Sequence, residues 1–140
     1  MTQLSILIGG VRFEAVYHED QAPKTVAAFR QHLAGLKSKM IHVRWSGQAG
    51  WIPFGDLDLG LEPENATCYP HPGEIVIYPG GVSETELLIA YGYVNFASKA
   101  GQLAGNHFAT ITAGADQLPA LGEKLLWSGA QDISFEEVED

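Results

Sequence analysis

The strand-like stretch Val11-Arg12-Phe13-Glu14-Ala15-Val16-Tyr17, followed within a few residues by Ala22-Pro23-Lys24-Thr25-Val26-Ala27-Ala28-Phe29, constrains the fold more than any other feature of the chain. The first stretch alternates its side chains as a strand with one buried face must. The second starts with a proline, whose missing N–H costs nothing in the first turn of a helix. It then places Val26, Phe29, Leu33 and Leu36 at helical spacing and meets Gly35 near its end. Ahead of both, Leu4–Ile8 is joined to Val11 by Gly9-Gly10, a dipeptide that accepts the positive φ angles of a two-residue hairpin turn. The chain therefore opens as a hairpin that leads into a helix.

A second helix is predicted late, with Asp116 as N-cap and Leu118, Leu121 and Leu125 at offsets of three and four. Pro119 is tolerable because it falls in the first turn. Between the helices the spacing predicts strands over Met40–Trp45, Gly50–Phe54, Glu74–Tyr78, Glu86–Tyr91 and His107–Thr112, and Asp132–Val138 closes the chain as another. Pro70, Pro72, Pro79, Gly80 and Gly81 bracket the Glu74–Tyr78 strand as turn residues. Many short strands with only an early and a late helix predict a mainly β, closed antiparallel barrel; an α/β sheet would alternate its elements regularly.

The size suits one core, because a chain of 15.1 kDa is expected to expose about 7,000 Å² when folded against roughly 22,000 Å² when extended. One domain over residues 1–140, without a linker, is the expectation. The net charge of −9 argues against nucleic acid, whose phosphates require clustered Lys and Arg. Residues 71–140 carry only two basic side chains against ten acidic ones. The acidic end, Phe135-Glu136-Glu137-Val138-Glu139-Asp140, reads as a solvated edge strand with a frayed tip. Cys68 alone excludes an internal disulfide and any Cys-based metal framework. Leu4–Ile8 is too short for a signal core or a membrane span, so a cytoplasmic protein without membrane partners is expected.

The order of elements and the Ala22–Phe29 run resemble cyclophilins, the prolyl isomerase barrels. Trp51-Ile52-Pro53-Phe54-Gly55, Tyr78-Pro79-Gly80-Gly81-Val82-Ser83-Glu84-Thr85-Glu86, Phe96-Ala97-Ser98 and Gly105-Asn106-His107-Phe108 are similar to phrases of a bacterial cyclophilin-like family of unassigned function. The resemblance implies an eight-stranded barrel capped by two α-helices, and it carries no known substrate. True cyclophilins follow the first helix with a phrase close to Phe-His-Arg, whose Arg supports the twisted proline amide, and then a Phe-Met-x-Gln-Gly-Gly run. Here Ile41-His42-Val43-Arg44 precedes Trp51-Ile52-Pro53-Phe54-Gly55-Asp56. Arg44 can stand in for that Arg, whereas Pro53-Phe54 replaces the Gln-Gly step, so loss of isomerase activity is expected.

Alternation over Met40–Trp45 sets Ile41, Val43 and Trp45 on one face and His42 and Arg44 on the other. With the first set filling the barrel, Arg44 points outward, to the surface that carries the substrate groove in a cyclophilin barrel. Its guanidinium offers a planar fork of donors for a carboxylate or carbonyl, with Trp51 beside it. The plainer alternative is a salt bridge to Asp56, Asp58 or Glu86. On the Glu74–Tyr78 strand, Ile75 and Ile77 face inward and Tyr78 forms a groove wall, leading into a Gly-rich loop that exposes the Glu84 carboxylate. That loop lacks the Lys and following helix of a P-loop and reads more simply as a hairpin connection. His107 is a candidate general base or ligand because an imidazole titrates near neutrality, its alternative being a hydrogen-bonded structural residue. His18, His32, His42 and His71 lack metal-site spacing, and neither a metal nor a cofactor is expected.

Tyr91, Tyr93, Asn95 and Phe96 form an aromatic and polar cluster that suits ligand recognition or a subunit interface. Three functions follow. One is a small polar or carboxylated ligand held in an outer groove by Arg44, Trp51, Tyr78, Glu84 and Tyr91, with Arg44, His107 and Glu84 as candidates for any chemistry. Another is a weak prolyl isomerase. The third is a non-catalytic, homo-oligomeric assembly subunit.

Overall fold

A computed structural model of the protein describes residues 3–138, so Glu139 and Asp140 of the expected acidic tip lie outside the described residues. Strands β1 (Leu4–Ile8) and β2 (Val11–Tyr17) form the opening hairpin, with Ile8 opposite Val11 and both Gly9 and Gly10 at positive φ. Helix α1 (Pro23–His32) follows, then β3 (Lys37–His42) and β4 (Gly47–Pro53). After the short β5 (Ala66–Thr67) come β6 (Glu74–Tyr78) and β7 (Glu86–Val94). A small hairpin of β8 (Ala97–Ser98) and β9 (Gly101–Gln102) precedes β10 (Gly105–Ala113), helix α2 (Leu118–Ser128) and β11 (Gln131–Glu137).

Eight strands, in the order β2-β1-β11-β3-β4-β7-β6-β10, close into a barrel because β10 pairs back onto β2, and every pairing is antiparallel. The protein is thus mainly β, a closed antiparallel eight-stranded barrel with two α-helices. Its interior is filled by Leu4, Ile6, Phe13, Ile52, Ile75, Ile77, Leu87, Ile89, Phe108 and Phe135, among others. Helix α1 presses Val26 and Phe29 into this core, and the Phe29 ring meets Phe108 at 5.0 Å and Phe135 edge-on at 5.4 Å. The start of α1 has no side-chain cap from Ala22. Instead the Glu64 carboxylate accepts from the N–H groups of Lys24 and Thr25 at 3.2 and 2.8 Å, satisfying donors that a helix start leaves unpaired. Helix α2 buries Leu118, Leu121 and Leu125, and Gly122 lies so close to the Tyr91 ring that a Cβ there would overlap it.

Three expectations change. Asp116 does not cap α2; it sits in a 3₁₀ turn, Ala115–Gln117, that leads into the helix from Gln117. Strand β3 runs from Lys37 to His42 with Met40, not Ile41, fully buried. The chain then bends at residues 43–46, which ends the alternation and leaves Trp45 57% exposed rather than inside the barrel.

A second core lies outside the barrel. Val76, Tyr78, Leu88 and Ala90, on the outer face of β6 and β7, pack with Ala49, Val94, Phe96 and Leu103. The segment carrying β8 and β9 folds over this face, with Leu103 N–H donating to the Phe96 carbonyl at 2.8 Å. Phe96, expected in an exposed aromatic cluster, is fully buried here.

Candidate functional site

A cleft of 390 Å³ opens at the edge of this outer core, lined by Arg44, Trp45, Ser46, Trp51, Ser83, Glu84, Glu86 and the Ala97–Lys99 turn among others. It draws its walls from three segments, and backbone and hydroxyl hydrogen bonds fix each of them. The bend that carries Arg44 is tied to the covering segment: Ser46 Oγ donates to the Ala97 carbonyl at 3.1 Å and accepts from the Ala97 N–H at 3.0 Å. Asn95 N–H also donates to the Ser46 carbonyl at 2.9 Å. The loop that carries Ser83 and Glu84 rests on a phenol, since Tyr78 Oη accepts from the N–H groups of Val82 at 2.9 Å and Ser83 at 3.4 Å. Thr85 Oγ1 donates to the Leu57 carbonyl at 2.6 Å and anchors the far end of that loop.

Three of the sequence-predicted residues, Arg44, Trp51 and Glu84, therefore meet in one cleft. Arg44 is exposed and forms no ion pair with Asp56, Asp58 or Glu86 among the described residues. Tyr78 is absent from the lining: buried against Phe96, with ring centroids 6.2 Å apart, it supports the cleft from beneath. Tyr91 faces the opposite way, toward the main core and α2, and its hydroxyl lies 2.8 Å from His42 Nε2.

His107 sits elsewhere on the wall. Its Nε2 and that of His18 lie 2.9 and 2.6 Å from Thr110 Oγ1, and the two rings meet edge-on at 4.7 Å. Burial holds the His107 imidazole below its ordinary pKa against the pull of Glu74, whose carboxylate is 3.9 Å away. Among the described residues, no group of three or more His, Cys, Asp or Glu side chains is arranged to hold a metal ion. No helix of the described residues is long and apolar enough to cross a membrane.

Sequence reading placed neither Lys99 nor Glu86 in the groove and considered the carboxylate only as a salt-bridge partner of Arg44; of the two, Glu86 is the buried one. It opens β7 opposite Pro53 and Tyr78, is only 5% exposed, and lines the cleft. Burial pushes its carboxyl up to about 7, against a hydrogen bond from the Trp51 side chain, and the nearby Glu84 charge adds to the rise. At neutral pH such a group exchanges a proton readily, as a general acid or base must. Its signal in the sequence was slight: one carboxylate at the head of the apolar run Leu87-Leu88-Ile89-Ala90.

No curated protein matches the sequence. The fold is similar to that of the solved structure of McbB in complex with tryptophan, at a TM-score of 0.73 and 16% identity, over 99% of this chain. The chain spans about half the length of that protein, 47% of it, and the likeness at this identity is one of fold. The family model described as "Protein of unknown function (DUF3830)" matches residues 4–137, and the chain belongs to that family.

Proposed function

We propose that the protein is a cyclophilin-like barrel that binds a small carboxylated molecule in the outer cleft. The observation that carries this reading is the convergence of Arg44, Trp51 and Lys99 on one concavity above the buried Glu86 carboxyl. The cleft is within the usual size for small ligands, about 300 to 1,000 Å³, and combines apolar walls with a few polar groups. Arg44 supplies the planar donor fork for the carboxylate, and Trp51 a flat wall beside it. Ligand-dependent thermal stabilisation tests the reading: a panel of small acids should raise the melting temperature of the native chain and leave Arg44→Ala unmoved. No shift with any acid, together with indifference to the Arg44 change, would sink it.

Isomerase activity is lost in this reading. Pro53, at the end of β4, stands where a cyclophilin presents its Gln-Gly step, and a proline there has no N–H to offer a peptide. A protease-coupled Xaa-Pro assay should return the uncatalysed rate. Self-association is the second reading, favoured by Leu126 and Trp127 on α2, which are 52% and 79% exposed. Light scattering at working concentration distinguishes it, because a monomer contradicts an assembly role.

A further inference from the structure

The charges that line the cleft are of both signs, and the protein does not pair them. Arg44 and Lys99 form no ion pair among the described residues, although Glu84 and Glu86 line the same cavity. Glu86 is almost wholly buried, yet no cation of the described residues lies within ion-pair distance of it. A carboxyl in that position gives up much of its hydration, no protein cation offsets the loss, and the part of it still accessible opens onto the cleft. A surface lysine or arginine left free is ordinary. A buried carboxyl without an ion-pair partner, in a cavity whose lining also carries two unpaired cations, is not, since protein charges taken out of water are as a rule paired.

Resting on the carboxylate-binding reading, we propose that the ligand is amphoteric, an α-amino acid or a close derivative, with its carboxylate on Arg44 and Lys99 and its ammonium group over Glu86. Such a molecule completes both halves of the site at once. Its carboxylate takes the bidentate donors of Arg44, and its ammonium group supplies the cation that Glu86 lacks. Trp45 and Trp51 line the same cleft, and their indole faces suit both an ammonium group and a flat apolar side chain. The groups facing Glu86 are Trp51 from β4, Glu84 from the loop after β6, and Tyr78 opposite it on β6, with Arg44 and Lys99 on the turns that complete the cleft.

Calorimetric titration of the full chain at pH 8 tests this with matched triplets. The probes are L-phenylalanine, 3-phenylpropanoate and 2-phenylethylamine, with the corresponding sets for tryptophan and leucine. At least one amino acid should bind tenfold or more tightly than both its deaminated acid and its decarboxylated amine. Glu86→Gln should reduce the ratio of amino acid to deaminated acid to about one. The native chain gives a second readout that does not depend on the variant folding. With Glu86 titrating at about 7, amino-acid affinity should fall roughly tenfold between pH 8 and pH 6, and that of the deaminated acid should not. If the acids bind as tightly as the amino acids in all three sets, the amphoteric ligand is overturned while the carboxylate site stands. If the amines bind best, or nothing binds, both readings fall.

Discussion

Along β2 and β11 the barrel wall has one face in the core and one in water: Phe13, Ala15, Ile133 and Phe135 are buried, while Arg12, Glu14, Asp132 and Glu136 are exposed. Along β6 and the first five residues of β7 both faces are covered. Ile75, Ile77, Leu87 and Ile89 point into the barrel, and Val76, Tyr78, Leu88 and Ala90 into the outer core beneath residues 95–104. The sequences differ accordingly, since a strand buried on both faces reads as a continuous apolar run and a half-buried one alternates. The difference also locates the cleft. A wall in water presents a convex surface, whereas a segment laid over a wall leaves a step at its margin, and Glu86, Trp51 and Arg44 stand at that step.

The sharpest attack on this comparison removes one large ring from each core. Phe29→Ala empties a site bounded by Tyr17, Phe108 and Phe135 and should cost about 4 kcal/mol in urea denaturation. Phe96→Ala should cost about half as much, because the covering segment can settle into the gap, and cavity cost depends on such collapse. Hydrogen exchange should then quicken in residues 95–104 and stay slow in β2 and β11. Equal losses with uniform exchange would mean that the two cores are one.

Glu86→Gln should give a stability gain instead. The folded state raises this carboxyl to about 7, so between pH 4.5 and 7 it binds more protons than the unfolded chain, and its contribution to stability declines as pH rises through that window. Above pH 7 the full penalty is in place. The variant should therefore exceed the native chain by up to about 3 kcal/mol at pH 8, with the gap closing toward pH 4.5. A pH-independent difference would remove the buried carboxyl from the account. The smallest effect is expected at Arg44, whose side chain touches solvent: Arg44→Ala should shift unfolding by less than about 0.5 kcal/mol while abolishing acid-dependent stabilisation.

The hairpin, α1 and the closed barrel were legible because their signals are local: Gly9-Gly10, Pro23 with its spaced apolar residues, and strand runs between turn residues. The face assignment of Met40–Trp45 was not, because alternation holds only while a strand continues, and this one ends at His42. Arg44 nonetheless reached the cleft, carried there by the bend tied to Ala97. Tyr78 does point away from the barrel interior, as alternation requires, but a period of two cannot tell water from a covering loop. Lys99 was invisible for the same reason: it arrives from a segment whose docking depends on Phe96 and Leu103 finding the outer face of β6 and β7. Glu86 entered the sequence reading only as a salt-bridge partner for Arg44, and its burial is set by tertiary packing that one carboxylate at a strand start does not announce.

The phenol of Tyr78 gives the rim of the cleft an unusual dependence. Its ring is seated among outer-core side chains, and its oxygen holds the backbone of Val82 and Ser83, next to Glu84. Any repacking around Phe96 thereby bears, through one aromatic ring, on the acidic lip of the cleft. On the proposed binding reading, selectivity is then open to retuning by changes to grease that no visitor ever touches.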